Sequence, residues 1–203
     1  MSTLSQKVLY TVGHSNQSFE DLLCLLKKHD ITAIADVRSH PFSKMNPQFN
    51  REVIAKSLRK QGIAYVFLGK ELGARSEDPA CYENGKVQYS LLAKTGLFRV
   101  GVKRVLKGME KYRVALMCAE KEPIVCHRAI LVARQISLLD VDIRHIHAGG
   151  ELESQEALSE RLLEELKMDG PNVLYSKREL MEEAFWKQGS KLAYERDVPF
   201  ETV

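Results

Sequence analysis

Short, largely apolar runs of strand-like composition alternate along the chain with amphipathic helical patterns. That alternation limits the possible folds more than any other feature. Residues 7–12 (KVLYTV), 31–37 (ITAIADV), 63–68 (IAYVFL), 113–117 (RVALM) and 142–146 (DIRHI) read as strands, several of them with the continuous apolar character of strands covered on both faces. Helical patterns lie between them. One starts after Ser18, a fitting N-cap with Asp21 at the third helical position. A second covers 50–61 and ends at Gly62, a third covers 97–112, and a fourth covers 123–139 with Pro123 in its first turn. The pattern predicts an α/β fold over 1–150, a mainly parallel sheet of about five strands with helices on both faces. From Glu151 the pattern is charged helix, broken at Gly170-Pro171, which predicts a C-terminal helical extension over 151–203 packed on the same domain. Five strands are too few for a (β/α)8 barrel.

Composition adds exclusions. With 203 residues, 44% hydrophobic and 28% charged, the chain has the makeup of an ordinary globular domain, not a disordered or fibrous one. A net charge of +3 does not by itself argue for nucleic-acid binding. No apolar run approaches the ~18 residues of a membrane span, and the opening MSTLSQKVLY lacks the apolar stretch of a signal peptide. The cysteines, Cys24, Cys81, Cys118 and Cys126, are too few and too scattered for a disulfide framework. A soluble cytoplasmic protein with reduced thiols and no membrane partner is expected.

In open parallel sheets ligands bind beyond the carboxyl ends of the strands, and polar residues gather there in this sequence. Gly13-His14-Ser15 follows the first strand; Asp36, Arg38 and Ser39 follow the second; Cys118 and Glu120 follow the fourth; Cys126-His127-Arg128 opens the next helix. A helix start with Arg128 beside it suits an anion, and a thiol in a first helical turn, as at Cys126, has a lowered pKa. The plainer alternative is a core cysteine with Arg128 paired to Asp36 or Glu120. Cys118, Cys126, His127 and His14 are residue types that zinc accepts, but the seven residues between the two cysteines do not match a zinc-finger spacing, and no metal is assigned. Asp36 and Arg38 share a strand face and can pair with each other. The stretch 69–95 has no clear period, and a segment that long is uncommon unless functional, so a lid is expected there. Its Tyr82, Tyr89 and Arg75, with Phe98, Arg99 and Lys103 beyond it, read as loop packing or as a base- and phosphate-binding mixture. The basic face of 97–112 reads as solvated.

Taken together, TVGHSN, DVRSxPxS, ELG and ALMCAExxPxxCHR resemble the family catalogued as domain of unknown function 488, over roughly residues 8–147. The chain has Gly73-Ala74 where that family often has two glycines. The resemblance implies a polar pocket built from His14, Ser15, Asp36, Arg38, Ser39, Cys118, Glu120, Cys126, His127 and Arg128, with no reaction attached. The expected function is an enzyme acting on a phosphorylated substrate such as a nucleotide or nucleic acid. Glu120, His14, Asp36 and Cys118 would be catalytic; Ser15, Arg38, Ser39, Cys126, His127 and Arg128 would bind substrate. A non-catalytic binding module and a thiol- or zinc-dependent protein using Cys118 and Cys126 are the alternatives. No cofactor is assigned.

Overall fold

The computed structural model describes residues 7–170 and 174–196. The opening segment, Pro171 of the expected helix break and the last part of the expected extension lie outside the described residues. Strand β1 (Val8–Gly13) leads to α1 (Phe19–Lys28), β2 (Ala33–Asp36), α2 (Arg51–Lys60) and β3 (Ala64–Phe67). The irregular stretch then forms short pieces: α3 (Gly69–Leu72), a hairpin of β4 (Tyr82–Glu83) and β5 (Lys86–Val87), and α4 (Tyr89–Leu92). After it come α5 (Gly96–Gly108), β6 (Val114–Cys118), a π-helix (Arg128–Ala133) running into α6 (Arg134–Ser137), and β7 (Asp142–Ile146). Strand β8 (Leu152–Ser154) and helices α7 (Gln155–Glu165) and α8 (Lys177–Leu192) follow. No described helix is long and apolar enough to cross a membrane.

The main sheet has six strands in the order β3-β2-β6-β1-β7-β8, parallel except for the β7–β8 pair. The expected count of about five therefore misses β8, three residues that return antiparallel along the edge of β7. The expected continuous helix over 123–139 is also corrected. A 3-10 turn (Pro123–Val125) precedes an extended Cys126, and the following helix is π-wound before it becomes α. The α1 start is as the sequence predicts, with Ser18 and Asp21 forming a reciprocal capping box.

Packing divides the helices between two faces. On one, α1 and α2 bury Leu22, Leu26, Ile54 and Leu58 against Val12, Ile34, Ala115 and Met117. On the other, α5 and the π-helix bury Phe98, Val105, Leu131 and Val132 against Leu9, Ala35 and Leu116. A third cluster packs Leu158, Leu162, Ala184 and Phe185 of α7 and α8 onto the far side of the π-helix at Ala129 and Ile130. The six π-helical residues are thus buried all round.

Strands β1 and β6 are neighbours, but the chain leaves them in opposite directions, β1 toward β2 and β6 toward β7. Right-handed crossovers then force the two following helices onto opposite faces. A crevice opens between the carboxyl ends of β1 and β6, the topological switch point at which open α/β sheets bind ligands.

Candidate functional site

The ladder continues past the strand ends and carries the polar residues into that crevice. His14 and Ser15 donate backbone N–H groups to Cys118 O (3.0 Å) and Ala119 O (2.8 Å), and Val37 donates to Met117 O (3.1 Å). Gly13 passes so close beneath the next segment that a Cβ there would lie 1.9 Å from Glu120 O.

One half of the site is a closed charge network. The buried Asp36 carboxylate accepts from Arg38 Nε (2.9 Å), Arg38 Nη2 (2.6 Å), the Arg38 backbone N–H (3.1 Å) and the Tyr65 hydroxyl (2.7 Å). Arg38 Nη1 lies 3.0 Å from His14 Nε2; a guanidinium only donates, so Nε2 is the acceptor and the proton sits on Nδ1, which donates to Ser15 O (2.8 Å). Burial and the Arg38 charge lower the His14 pKa to about 4. His14 also stacks on Phe49, 4.2 Å between centroids. It is a neutral ring with both nitrogens engaged. Burial raises the Tyr65 pKa, and Asp36 raises it further.

The other half gathers sulfur, nitrogen and carboxylate. One ligand atom each from Cys118, Glu120, Cys126 and His127 lies within 4.8 Å of all the others. Cys126 Sγ is 2.9 Å from Glu120 Oε2, and Cys118 Sγ is 3.6 Å from His127 Nδ1. His127 Nε2 donates to Val37 O (3.0 Å), which turns Nδ1 toward the sulfurs; burial lowers the His127 pKa, but Cys126 beside it outweighs that and raises it. Cys118, Cys126 and His127 are buried, and Glu120 is open to solvent. Cys126 stands where a helix N-cap stands, its Sγ accepting the Arg128 N–H at 3.4 Å. Burial pushes this thiol up, but the Cys118 hydrogen bond and the charge of Arg128 outweigh it and hold Cys126 well below the usual thiol range. Burial and the neighbouring Cys126 push Cys118 up, and the same two causes raise Glu120.

Arg128 is fully buried, and its guanidinium donates to Glu120 O (2.7 Å) and Lys121 O (3.0 Å). It pairs with neither Asp36 nor the Glu120 carboxylate. It fastens the 120–121 turn, and its terminal nitrogens do not face the cleft. Arg38 is spent on Asp36 and His14 in the same way. Direct anion capture by these two arginines finds no support in the geometry. Ser39 Oγ accepts the Arg75 N–H (3.1 Å), and Ser15, in the left-handed region at φ 49°, carries an exposed hydroxyl that donates to Asn16.

Two cavities meet over these groups, sharing Arg38, His40, Ala119 and Glu120. One, of about 310 Å3, also has Cys118, His127, Arg75, Tyr89 and Tyr194 in its walls. The other, of about 360 Å3, has His14, Ser15, Asn16, Phe42, Asn46 and Lys121. Of the expected residues, the structure brings Cys118, Glu120, Cys126 and His127 together, and puts Glu120 where the sequence reading considered His14 as a metal ligand. Tyr65, Tyr194 and Lys121 were not foreseen at the site, and Arg75 was foreseen only as part of a loop mixture. Of that mixture, Phe98 is core, Arg99 and Lys103 lie on the exposed face of α5, and Tyr82 stacks with Arg196.

A protein-family model described as Domain of unknown function DUF488 matches residues 18–135, more than half of the chain. No curated protein and no solved structure matches it.

Proposed function

The chain belongs to the family described as domain of unknown function DUF488, and from that footing we propose that it is a zinc-dependent enzyme acting on a polar substrate seated in the switch-point cleft. Cys118, Cys126 and His127 hold the metal. Glu120, the solvent-facing member of the cluster, stands beside the remaining position, which water or substrate takes, and moves a proton there. The convergence of four ligand atoms within 4.8 Å carries this reading. Bonds of about 2.0–2.3 Å in a tetrahedron place ligand atoms roughly 3.3–3.8 Å apart, and the 3.6 Å between Cys118 and His127 already falls in that range.

Charge supports the same conclusion. Arg128 is buried without a carboxylate partner among the described residues, which is costly unless negative charge lies close by. Two thiolates and the Glu120 carboxylate carry three negative charges; a divalent cation and Arg128 balance them. Two sulfurs with an imidazole favour zinc over the hard cations. Zinc in this donor set supplies Lewis acidity. Val37 O orients His127, and Arg128 holds the turn that presents Glu120. The four cysteines are all free, in keeping with a reducing compartment such as the cytoplasm.

Metal analysis tests the proposal. One zinc per chain is expected, absent from Cys118→Ser and His127→Ala. Cobalt-substituted protein should show thiolate-to-metal charge transfer and the intense visible bands of a tetrahedral centre. Glu120→Gln should keep the metal but form no product in a screen of hydrolysable esters. Protein that neither contains zinc nor takes it up sinks the proposal.

A further inference from the structure

We infer that the cleft recognises a phosphate group through Arg75, held in position by Tyr194. This deepens the zinc reading and rests on it for the placement of the reacting end. Arg38 lines the cleft and Arg128 is buried, and both spend their terminal nitrogens on internal partners; Arg128 Nε, also buried, has no partner among the described residues. Arg75 is different. It is exposed in the wall that also contains Cys118, Glu120 and His127. Among the described residues no carboxylate pairs with it. Lys121, in the adjoining cavity, also has no acidic partner among the described residues.

Arg75 is nonetheless not a loose surface side chain. Its backbone N–H is fixed to Ser39 Oγ at 3.1 Å. The preceding loop is pressed against Ser39 so tightly that a Cβ at Gly73 would sit 2.5 Å from that Oγ and 2.3 Å from Gly69 O. Its guanidinium lies 4.5 Å from the centre of the Tyr194 ring. Tyr194 belongs to a segment laid along the β4–β5 hairpin: Val87 N–H donates to Tyr194 O (2.9 Å) and Arg196 N–H to Gly85 O (2.8 Å). Arg196 secures the same segment by donating to Ser76 O (2.7 Å) and by lying 4.0 Å over the Tyr82 ring.

A guanidinium held over an aromatic ring keeps N–H groups available at its edge, and that edge grips an oxyanion by two parallel hydrogen bonds. Two cations without an acidic partner among the described residues, Arg75 and Lys121, flank the ligand cluster and match a doubly charged group, so phosphate is favoured over carboxylate. Arg75 binds and orients that phosphate, and Tyr194 is a positioning residue that acts through Arg75.

Inorganic phosphate titrated into zinc-loaded protein by calorimetry is the test, with acetate alongside and the zinc content of each variant measured. Wild type should bind phosphate, and acetate at least tenfold more weakly. Arg75→Gln should weaken phosphate tenfold or more with zinc unchanged. Tyr194→Phe should bind as wild type, whereas Tyr194→Ala should lose several-fold, because the ring and not the hydroxyl does the positioning. Undiminished phosphate affinity in Arg75→Gln, no phosphate binding in wild type, or acetate bound as tightly as phosphate overturns the inference while leaving the zinc reading intact. If wild type takes no zinc, the zinc reading fails. The same Arg75→Gln comparison on metal-free protein then still decides whether Arg75 is the phosphate anchor.

Discussion

A methyl group at position 13 has nowhere to go, because the Glu120 carbonyl already occupies the space, 1.9 Å from where that carbon would be. Backbone cannot yield as a side-chain tip can. Gly13→Ala should therefore push the 120–121 turn off β1 and cost roughly 1–3 kcal/mol, as overpacking does. Urea denaturation would read the loss, and zinc affinity should fall with it because Glu120 and Arg128 share that turn. Unchanged stability and affinity would mean that the turn is free to move. At this scale the sequence was only half legible. Cys118, Cys126 and His127 stand out because few residue types offer sulfur or imidazole, and they fall beside one strand end. The pairing of Arg38 with Asp36 was legible from their shared strand face, whereas the duty of Arg128 was hidden, since a guanidinium bound to backbone carbonyls leaves no mark in the sequence of its partners. Arg75 and Tyr194, 119 positions apart, meet only through the tertiary fold.

Three elements are tied together by one buried histidine. His145 in β7 accepts from Thr11 of β1 at Nδ1 (2.8 Å) and donates from Nε2 to Gln155 at the head of α7 (3.1 Å). Burial lowers its pKa to about 3, against 6.5 for an ordinary histidine. The unfolded chain therefore binds this proton first. The stabilisation is complete above about pH 6.5 and drains away toward pH 3, by up to about 1.4 kcal/mol per pH unit. Denaturant midpoints compared at pH 7 and pH 5 should drop less in His145→Asn than in wild type; equal drops would remove His145 from the account. Elements with strong periodicity, such as α1 and α5, were legible. Strand β8 was not, because Leu-Glu-Ser is too short to show alternation and is recruited by the open edge of β7. The π-wound start of the helix after Cys126 was invisible too: its residues suit an α-helix, and only the fold shows them packed between the sheet and α7–α8. Such π segments recur at functional sites, and this one carries Cys126 and His127 at its entrance.

For the molecule as a whole, a ligand that binds only the folded state stabilises it by mass action. Zinc at ~100 times its dissociation constant would add about 2.7 kcal/mol, a Tm increase of roughly 5–10 °C for a chain of this size. Melting curves recorded with zinc and with a chelator should differ by up to that amount, and Cys118→Ser should abolish the difference. A shift that survives in Cys118→Ser would put the metal elsewhere. The layered α/β architecture followed from the alternation of strands and helices, whereas the strand order did not. Order depends on which way each crossover turns, and that choice creates the switch point.

The proposed ligands Cys118, Cys126 and His127, with Glu120 beside them, come from a single stretch of ten residues, while the phosphate-binding wall is assembled from residues far apart in the chain. Closing so short a loop around an ion costs little chain entropy. A chain still unfolded, or still being synthesised, would therefore hold zinc as soon as this stretch is exposed. Affinity in the unfolded state makes the mass-action gain above an upper bound. It also means that metal loading and completion of the cleft are separate events in the protein's biogenesis, the first local and early, the second global and last.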